Sequence, residues 1–262
     1  MAEPVLAVEN LSLALDGVPI LDRVSFAVGA GEWFAIIGPN GAGKTTLFRC
    51  LARIHRIDAG SIRIEGRPLE SYSQRELAGR LSYVPQISAG AIPFRAEEYV
   101  MMGRYPHLSM FTSVGAGDRS AVREAMTLTG TAHLAPRRMD TLSGGERQLV
   151  AIAAALAQGA NIMLLDEPVS FLDPGHAREV HRIIGQINRG QGITILMVTH
   201  DINSAAMHAD RIGIMQDGCF IGQGTPSQIM SNEVLSPVYG TVFAFQRHPE
   251  SGIPVILPEA RS

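Results

Sequence analysis

Lysine is almost missing from this chain of 262 residues: Lys44 is its only one, and every other member of its 22 basic residues is arginine. Against 25 acidic residues the formal charge is −3, which argues against a protein that grips nucleic acid through its phosphates. Long apolar runs are also missing. The longest, Leu149 to Ala157, falls well short of the roughly 18 to 20 residues that a membrane helix needs. The start, MAEPVLAVEN, has neither a basic nor an apolar stretch, so no export signal is expected there. Cysteine is scarce, and Cys50 and Cys219 sit in no metal or redox spacing; they read as small apolar side chains in a reducing cytosol. Low-complexity tracts and long internal repeats are absent.

The patterning that is present describes an α/β protein. Leu11, Leu13 and Leu15 alternate up to a turn at Asp16-Gly17, and Val24, Phe26 and Val28 alternate after it, which predicts antiparallel strands. Trp33 to Ile37 is a short apolar run that enters a glycine-rich loop, and Leu47, Leu51 and Ile54 then recur at helical spacing. Ile162 to Leu165 and Ile193 to Val198 do not alternate, as expected of parallel strands covered on both faces. Val180, Ile183, Ile184 and Ile187 form one helical face between them, completing a strand–helix–strand unit. From about 87 to 159 the pattern turns helical, with Ala121, Val122, Ala125 and Met126 on one face and Leu149, Ile152, Ala153 and Leu156 on another. The expected organisation is a core of 1–86 and 160–240, a helical insertion of 87–159 and a tail of 241–262. The Met- and aromatic-rich stretch 93–111 fits either packing within the insertion or a surface that meets a partner.

Gly38-Pro39-Asn40-Gly41-Ala42-Gly43-Lys44-Thr45-Thr46 matches the phosphate-binding loop in full, after a strand and before a helix. Glycines let backbone N–H groups turn inward around an anion, and the helix start adds about half a unit of positive charge. Lys44 is expected at the β- and γ-phosphates and the Thr45 hydroxyl at Mg²⁺. A compact ammonium is not interchangeable with a guanidinium in such a cradle, which gives the lone lysine its meaning. Asp166-Glu167 ends a buried strand, where ligands bind in open α/β sheets: Asp166 is a candidate Mg²⁺ ligand and Glu167 a candidate base for the attacking water. His200 and Gln86 each end a probable strand, and Gln86 is a further candidate for Mg²⁺ or the lytic water. Ser143 and Glu146 form a capping box, which leaves Gly144 and Gly145 in a first helical turn to be explained. Bare backbone at a helix start is what close approach to phosphate requires, and a second such site suggests a nucleotide shared between two copies.

Taken in order, GPNGAGKTT, YVPQ, LSGGERQ, IMLLDEP, SFLD and VTHD resemble the nucleotide-binding subunits of ATP-binding cassette (ABC) transporters, over essentially Val5 to Tyr239. LSGGE between the phosphate loop and the acidic strand is the specific mark. The resemblance implies a P-loop NTPase core with an N-terminal antiparallel β subdomain and an inserted α-helical subdomain. It also implies ATP with Mg²⁺, and a head-to-tail homodimer in which Ser143, Gly144 and Gly145 of one copy meet the nucleotide on the other. Glu167 would be the catalytic base, His200 the γ-phosphate contact, and Gln86 the link to a membrane permease. The family's adenine-stacking aromatic is replaced here by Leu15. The segments 66–78, 103–111 and 248–258 are similar to importers of iron chelates, haem and cobalamin, whose ATPase lies on the cytoplasmic face of the membrane and serves a separate extracytoplasmic binding protein. A P-loop kinase has no use for LSGGE, whereas a soluble ABC protein such as an iron–sulfur assembly factor shares the fold.

Overall fold

A computed structural model describes residues 3–86, 92–108 and 113–257. The Met- and aromatic-rich stretch 93–111 and the tail 241–262 therefore lie partly outside the described residues. The chain divides into two compact units, residues 1–69 with 195–262 and residues 70–194.

The first unit opens with β1 (Leu6–Leu15) and β2 (Val18–Val28), antiparallel as the alternation predicts, with Leu15 opposite Val18. Asp16 (φ 52°) and Gly17 (φ 80°) between them are both left-handed, the turn whose twist matches paired strands. β3 (Trp33–Ile37) is buried along its whole length and runs through the phosphate loop into α1 (Lys44–Leu51). β4 (Ala59–Ile64) pairs antiparallel with β1, and the short β5 (Arg67–Pro68) with β4. Cys50 on α1 is fully buried, and burial pushes its thiol up to about 12, so it packs as an apolar group.

The second unit carries α2 (Gln74–Ala78), β6 (Leu81–Val84), three helices α3 (Ala96–Met102), α4 (Ala116–Leu128) and α5 (Gly144–Ala157), then β7 (Ile162–Asp166) and α6 (Pro174–Gln191). β6 and β7 are parallel, Leu81 against Ile162 and Val84 against Leu165. Gln158 fastens the end of α5 to α2 and β6 by donating to the carbonyls of Ala78 (2.6 Å) and Leu81 (2.9 Å). Arg104 bridges Asp118 at 3.1 Å and also donates to Ala157 O, tying α4 and α5 to the segment after α3. The Gly115 N–H and Arg104 hold the Asp118 carboxyl below the usual carboxylate range.

The chain returns to the first unit through β8 (Thr194–Val198), α7 (Ile202–His208), β9 (Arg211–Gln216) and β10 (Cys219–Gly224), followed by α8 (Pro226–Ile229), α9 (Asn232–Tyr239) and a hairpin of β11 (Phe245–Arg247) and β12 (Pro254–Ile256). β3 lies between β8 and β9, parallel to both, and β10 closes the edge antiparallel to β9. Phe26 of β2, Phe34 of β3 and Phe220 of β10 stack with centroids 5.2 to 6.4 Å apart, joining the antiparallel and parallel layers. Gly213 is a glycine because a Cβ there would stand 2.2 Å from the Phe220 ring. The fold is the P-loop NTPase class, with the antiparallel β subdomain and the inserted helices the sequence predicts.

Candidate functional site

In the first unit the loop from Gly38 to Gly43 is shaped by backbone. A Cβ at Gly38 (φ 154°) would fall 2.1 Å from the Met215 carbonyl oxygen, and one at Gly43 (φ 91°) 2.9 Å from the Ile20 carbonyl oxygen. Gly41 (φ 84°) has open space around it and is required by conformation alone. The loop curls around Lys44, whose Nζ donates to Gly38 O at 2.7 Å and Pro39 O at 2.9 Å, and the residue is only 7% exposed. Gly43 supplies no side chain to cap α1, and no acid lies in the helix's first turn. A left-handed glycine cradle ahead of an acid-free helix start fits a polyphosphate.

His200 follows β8 and is exposed. Ile36 of β3 pairs with Val198 of β8, so Gly38 and His200 each lie two residues beyond the same rung of a parallel ladder. Thr199 N donates to Ile36 O at 3.1 Å, which anchors the residue before His200 to β3, and Thr199 Oγ1 accepts from Asp201 N at 3.0 Å. Leu15, at the tip of the β1–β2 hairpin, is half-buried and aliphatic.

In the second unit the register of β6 and β7 places Pro85-Gln86 and Asp166-Glu167 past the same ends of neighbouring strands. Gln86 is exposed; Asp166 is 1% exposed, and its Oδ2 accepts from the Tyr83 hydroxyl at 3.1 Å. Glu167 adopts φ 51°, a left-handed conformation uncommon outside glycine, and its Oε2 accepts from Ser170 Oγ at 2.8 Å. Two residues of the same turn depart from ordinary surface behaviour. Phe171 is also left-handed (φ 66°) and is 94% exposed, and Asp173 caps α6 by accepting from Gly175 N and His176 N while pairing with His176 Nδ1. These bonds hold the Asp173 carboxyl below its usual range, the one to the His176 side chain above all.

Ser143 caps α5 through a complete box: Ser143 Oγ accepts from Glu146 N at 3.3 Å, and Glu146 Oε2 accepts from Ser143 N at 2.8 Å. The bond from Ser143 N keeps the Glu146 carboxyl below the usual range. Ser143 and Gly144 are exposed and Gly145 is buried. A Cβ on Gly145 would stand 2.5 Å from the His176 ring, so close helix packing accounts for this glycine without any ligand. No pattern in the sequence pairs 145 with 176. Gly144, whose Cβ would meet only Leu172 at 3.4 Å, keeps the open backbone expected of a phosphate contact.

Among the described residues no group of three His, Cys, Asp or Glu is placed to hold a metal ion. Mg²⁺ is ordinarily held by one or two hard protein oxygens together with substrate phosphates and water. The Thr45 hydroxyl and the Asp166 carboxylate are donors of that type.

A family model described as ABC transporter matches residues 21–170. The chain belongs to the ABC transporter family. It is 35% identical over 254 residues to the ferric enterobactin transport ATP-binding protein FepC of Escherichia coli K12, covering 97% of this chain and 94% of that one. It is 40% identical over 261 residues to the hemin import ATP-binding protein HmuV of Streptomyces coelicolor, covering 98% and 90%. A solved inward-facing structure of an ABC transporter assigned to the metal-chelate type superposes with a TM-score of 0.85 at 27% identity, covering 99% of both chains. A dimeric ATP-binding cassette in a post-hydrolysis state with ADP and Pi superposes at 0.73 with 26% identity, covering 84% and 98%. As an ABC ATP-binding subunit, the chain is an ATPase. Among the described residues no helix is long and apolar enough to cross a membrane.

Proposed function

We propose that this ABC ATPase is the motor of an importer for a metal chelate, of the iron–siderophore, haem or cobalamin kind. It would sit at the cytoplasmic face of the membrane on a separate permease dimer that receives substrate from an extracytoplasmic binding protein. The observation that carries this reading is similarity along nearly the whole chain to ATP-binding proteins of ferric enterobactin and hemin transport, rather than through the phosphate loop alone.

In this reading the loop Gly38, Pro39, Asn40, Gly41, Ala42, Gly43, Lys44, Thr45 and Thr46 takes the ATP phosphates. The Lys44 ammonium exchanges its carbonyl partners for phosphate oxygens, which brings its charge to the γ-phosphate. Thr45 and Asp166, with Gln86, hold Mg²⁺, which when bound neutralises phosphate charge. Glu167 takes the proton of the attacking water as its oxygen joins phosphorus and the bond to ADP breaks. His200 contacts the γ-phosphate. Ser143, Gly144 and Gly145 of a second copy complete the site, and the exposed Phe171 beside Glu167 belongs to the same dimer face. ATP closes this dimer because it binds the closed state better, and hydrolysis releases it.

Affinity capture of the full chain from detergent-solubilised membranes tests the transport role. A co-purifying membrane-spanning permease is expected; recovery only with a soluble scaffold complex would replace import by an assembly role. An amine-directed reagent tests the cradle directly, since Lys44 and the N-terminus are its only targets. Inactivation blocked by saturating Mg-ATP is expected, and inactivation at equal speed with and without nucleotide would remove Lys44 from the phosphates.

A further inference from the structure

The C-terminal hairpin is fastened to the helix that follows His200. Asn203 on α7 donates from Nδ2 to the Ile256 carbonyl at 2.8 Å and accepts at Oδ1 from the Ile256 N–H at 2.7 Å. One side-chain amide thus reproduces the two-bond exchange by which strands pair, on the free side of β12. Asn232 makes the same clamp at the entry to the hairpin, donating to Phe243 O at 2.9 Å and accepting from Phe243 N at 2.8 Å. Between the clamps Phe245 pairs with Ile256, and Leu257 N donates to Ala244 O at 2.8 Å. Phe243 packs its ring against both Tyr239 and Phe245.

α7 needs such support. Seven residues are too few for a helix to hold itself in water. Its start is set by Asp201, which accepts from Ser204 N at 2.9 Å, and its end by the His208 ring stacked on Trp33 at 5.7 Å. Asn203 is the flank contact, one turn after His200, and it ties the helix to a segment distant in sequence. Ser251 Oγ of the hairpin adds a weaker bond to the same helix, donating to Met207 Sδ at 3.9 Å.

We propose that Asn203 is a positioning residue: the C-terminal hairpin, clamped through it, holds α7 and hence the backbone of His200 in the orientation that meets the γ-phosphate. This rests on the reading of His200 given above. Phosphate binding itself depends on the loop around Lys44, so losing the clamp displaces His200 while leaving nucleotide affinity intact.

The experiment is a double-mutant cycle on the full-length chain, with kcat, KM for Mg-ATP and thermal stability measured for each variant. Asn203→Ala is expected to lower kcat about 10-fold to 100-fold, the scale of an ångström-sized misplacement, with KM changed less than about twofold. In a His200→Ala background the same substitution is expected to have no further effect on kcat. Ile256→Pro, which deletes the donor to Asn203 Oδ1 without altering α7, should reproduce the kcat loss if Asn203→Ala proves poorly folded. Equal losses with and without His200 would show a purely structural role and overturn the proposal, as would wild-type kcat in Asn203→Ala. Wild-type turnover in His200→Ala would instead sink the reading of His200 on which the proposal rests, and the proposal with it.

Discussion

In the proposed function two helix starts meet phosphate, and they are built differently. At α1 the cap is a left-handed glycine without a side chain, and no acid lies in the first turn. At α5 a capping box already satisfies the turn, Glu146 adds a negative charge, and one of the two glycines answers to the His176 ring. The first start can attract an anion unaided. The second is the poorer anion site, because its donors are partly used and Glu146, paired with Arg137 at 3.2 Å, stands in its first turn. In the dimeric reading proposed above, this comparison implies that nucleotide would bind at Lys44 first and that the α5 start of another copy would join afterwards.

Lys44→Ala gives the largest test of that asymmetry. If α1 alone captures nucleotide, ATP binding by equilibrium dialysis and phosphate release should both fall by about two orders of magnitude or more. Binding that survives would mean the α5 start captures ATP independently, and the comparison would break. Glu167→Gln should lower phosphate release by roughly 10² to 10⁴ while both starts keep ATP, so that size-exclusion chromatography with Mg-ATP shows an accumulated dimer. A variant of undiminished turnover would remove Glu167 as base. Gly145→Ala is expected to cost about 1 to 3 kcal/mol in urea unfolding by overpacking against His176. His176→Ala in the same chain should restore most of it. If the double variant stays as unstable as the single one, packing is not the reason for this glycine.

The smallest effect concerns the box at α5. Because the Glu146 carboxyl is held below its unfolded value, its contribution is complete above the ordinary glutamate range and fades as pH falls through the lower folded value. Comparing Glu146→Gln with the parent in thermal melts should show a gap on the order of half a kcal/mol near neutrality, shrinking as pH falls below the ordinary glutamate range. A gap that widens on acidification would reverse the assigned sign.

What was legible in the sequence was whatever local periodicity or fixed spacing encodes. Alternation around Asp16-Gly17 gives the hairpin, unbroken apolar runs give β3, β7 and β8, and the GxxxxGKT spacing gives the loop together with its lysine. The capping box at Ser143 was equally visible. What escaped depends on contacts between residues far apart in the chain. His176 against Gly145, Tyr83 on Asp166 and Asn203 on Ile256 leave no trace in spacing, and the left-handed turn at Glu167 has no glycine to announce it. Gly144 and Gly145 look alike as letters, yet one faces solvent and the other a ring.

The ladder between β3 and β8 is also a ruler. Parallel strands stand about 4.8 Å apart and advance about 3.3 Å per residue, so the last pairing of Ile36 with Val198 sets where the loop and His200 begin relative to each other. Inserting or deleting one residue upstream within either strand would shift one end by a full step and turn its side chains to the opposite face. Length changes in the connecting turns leave that measure untouched. The sheet therefore makes the spacing of loop and histidine along the strands a matter of counting residues.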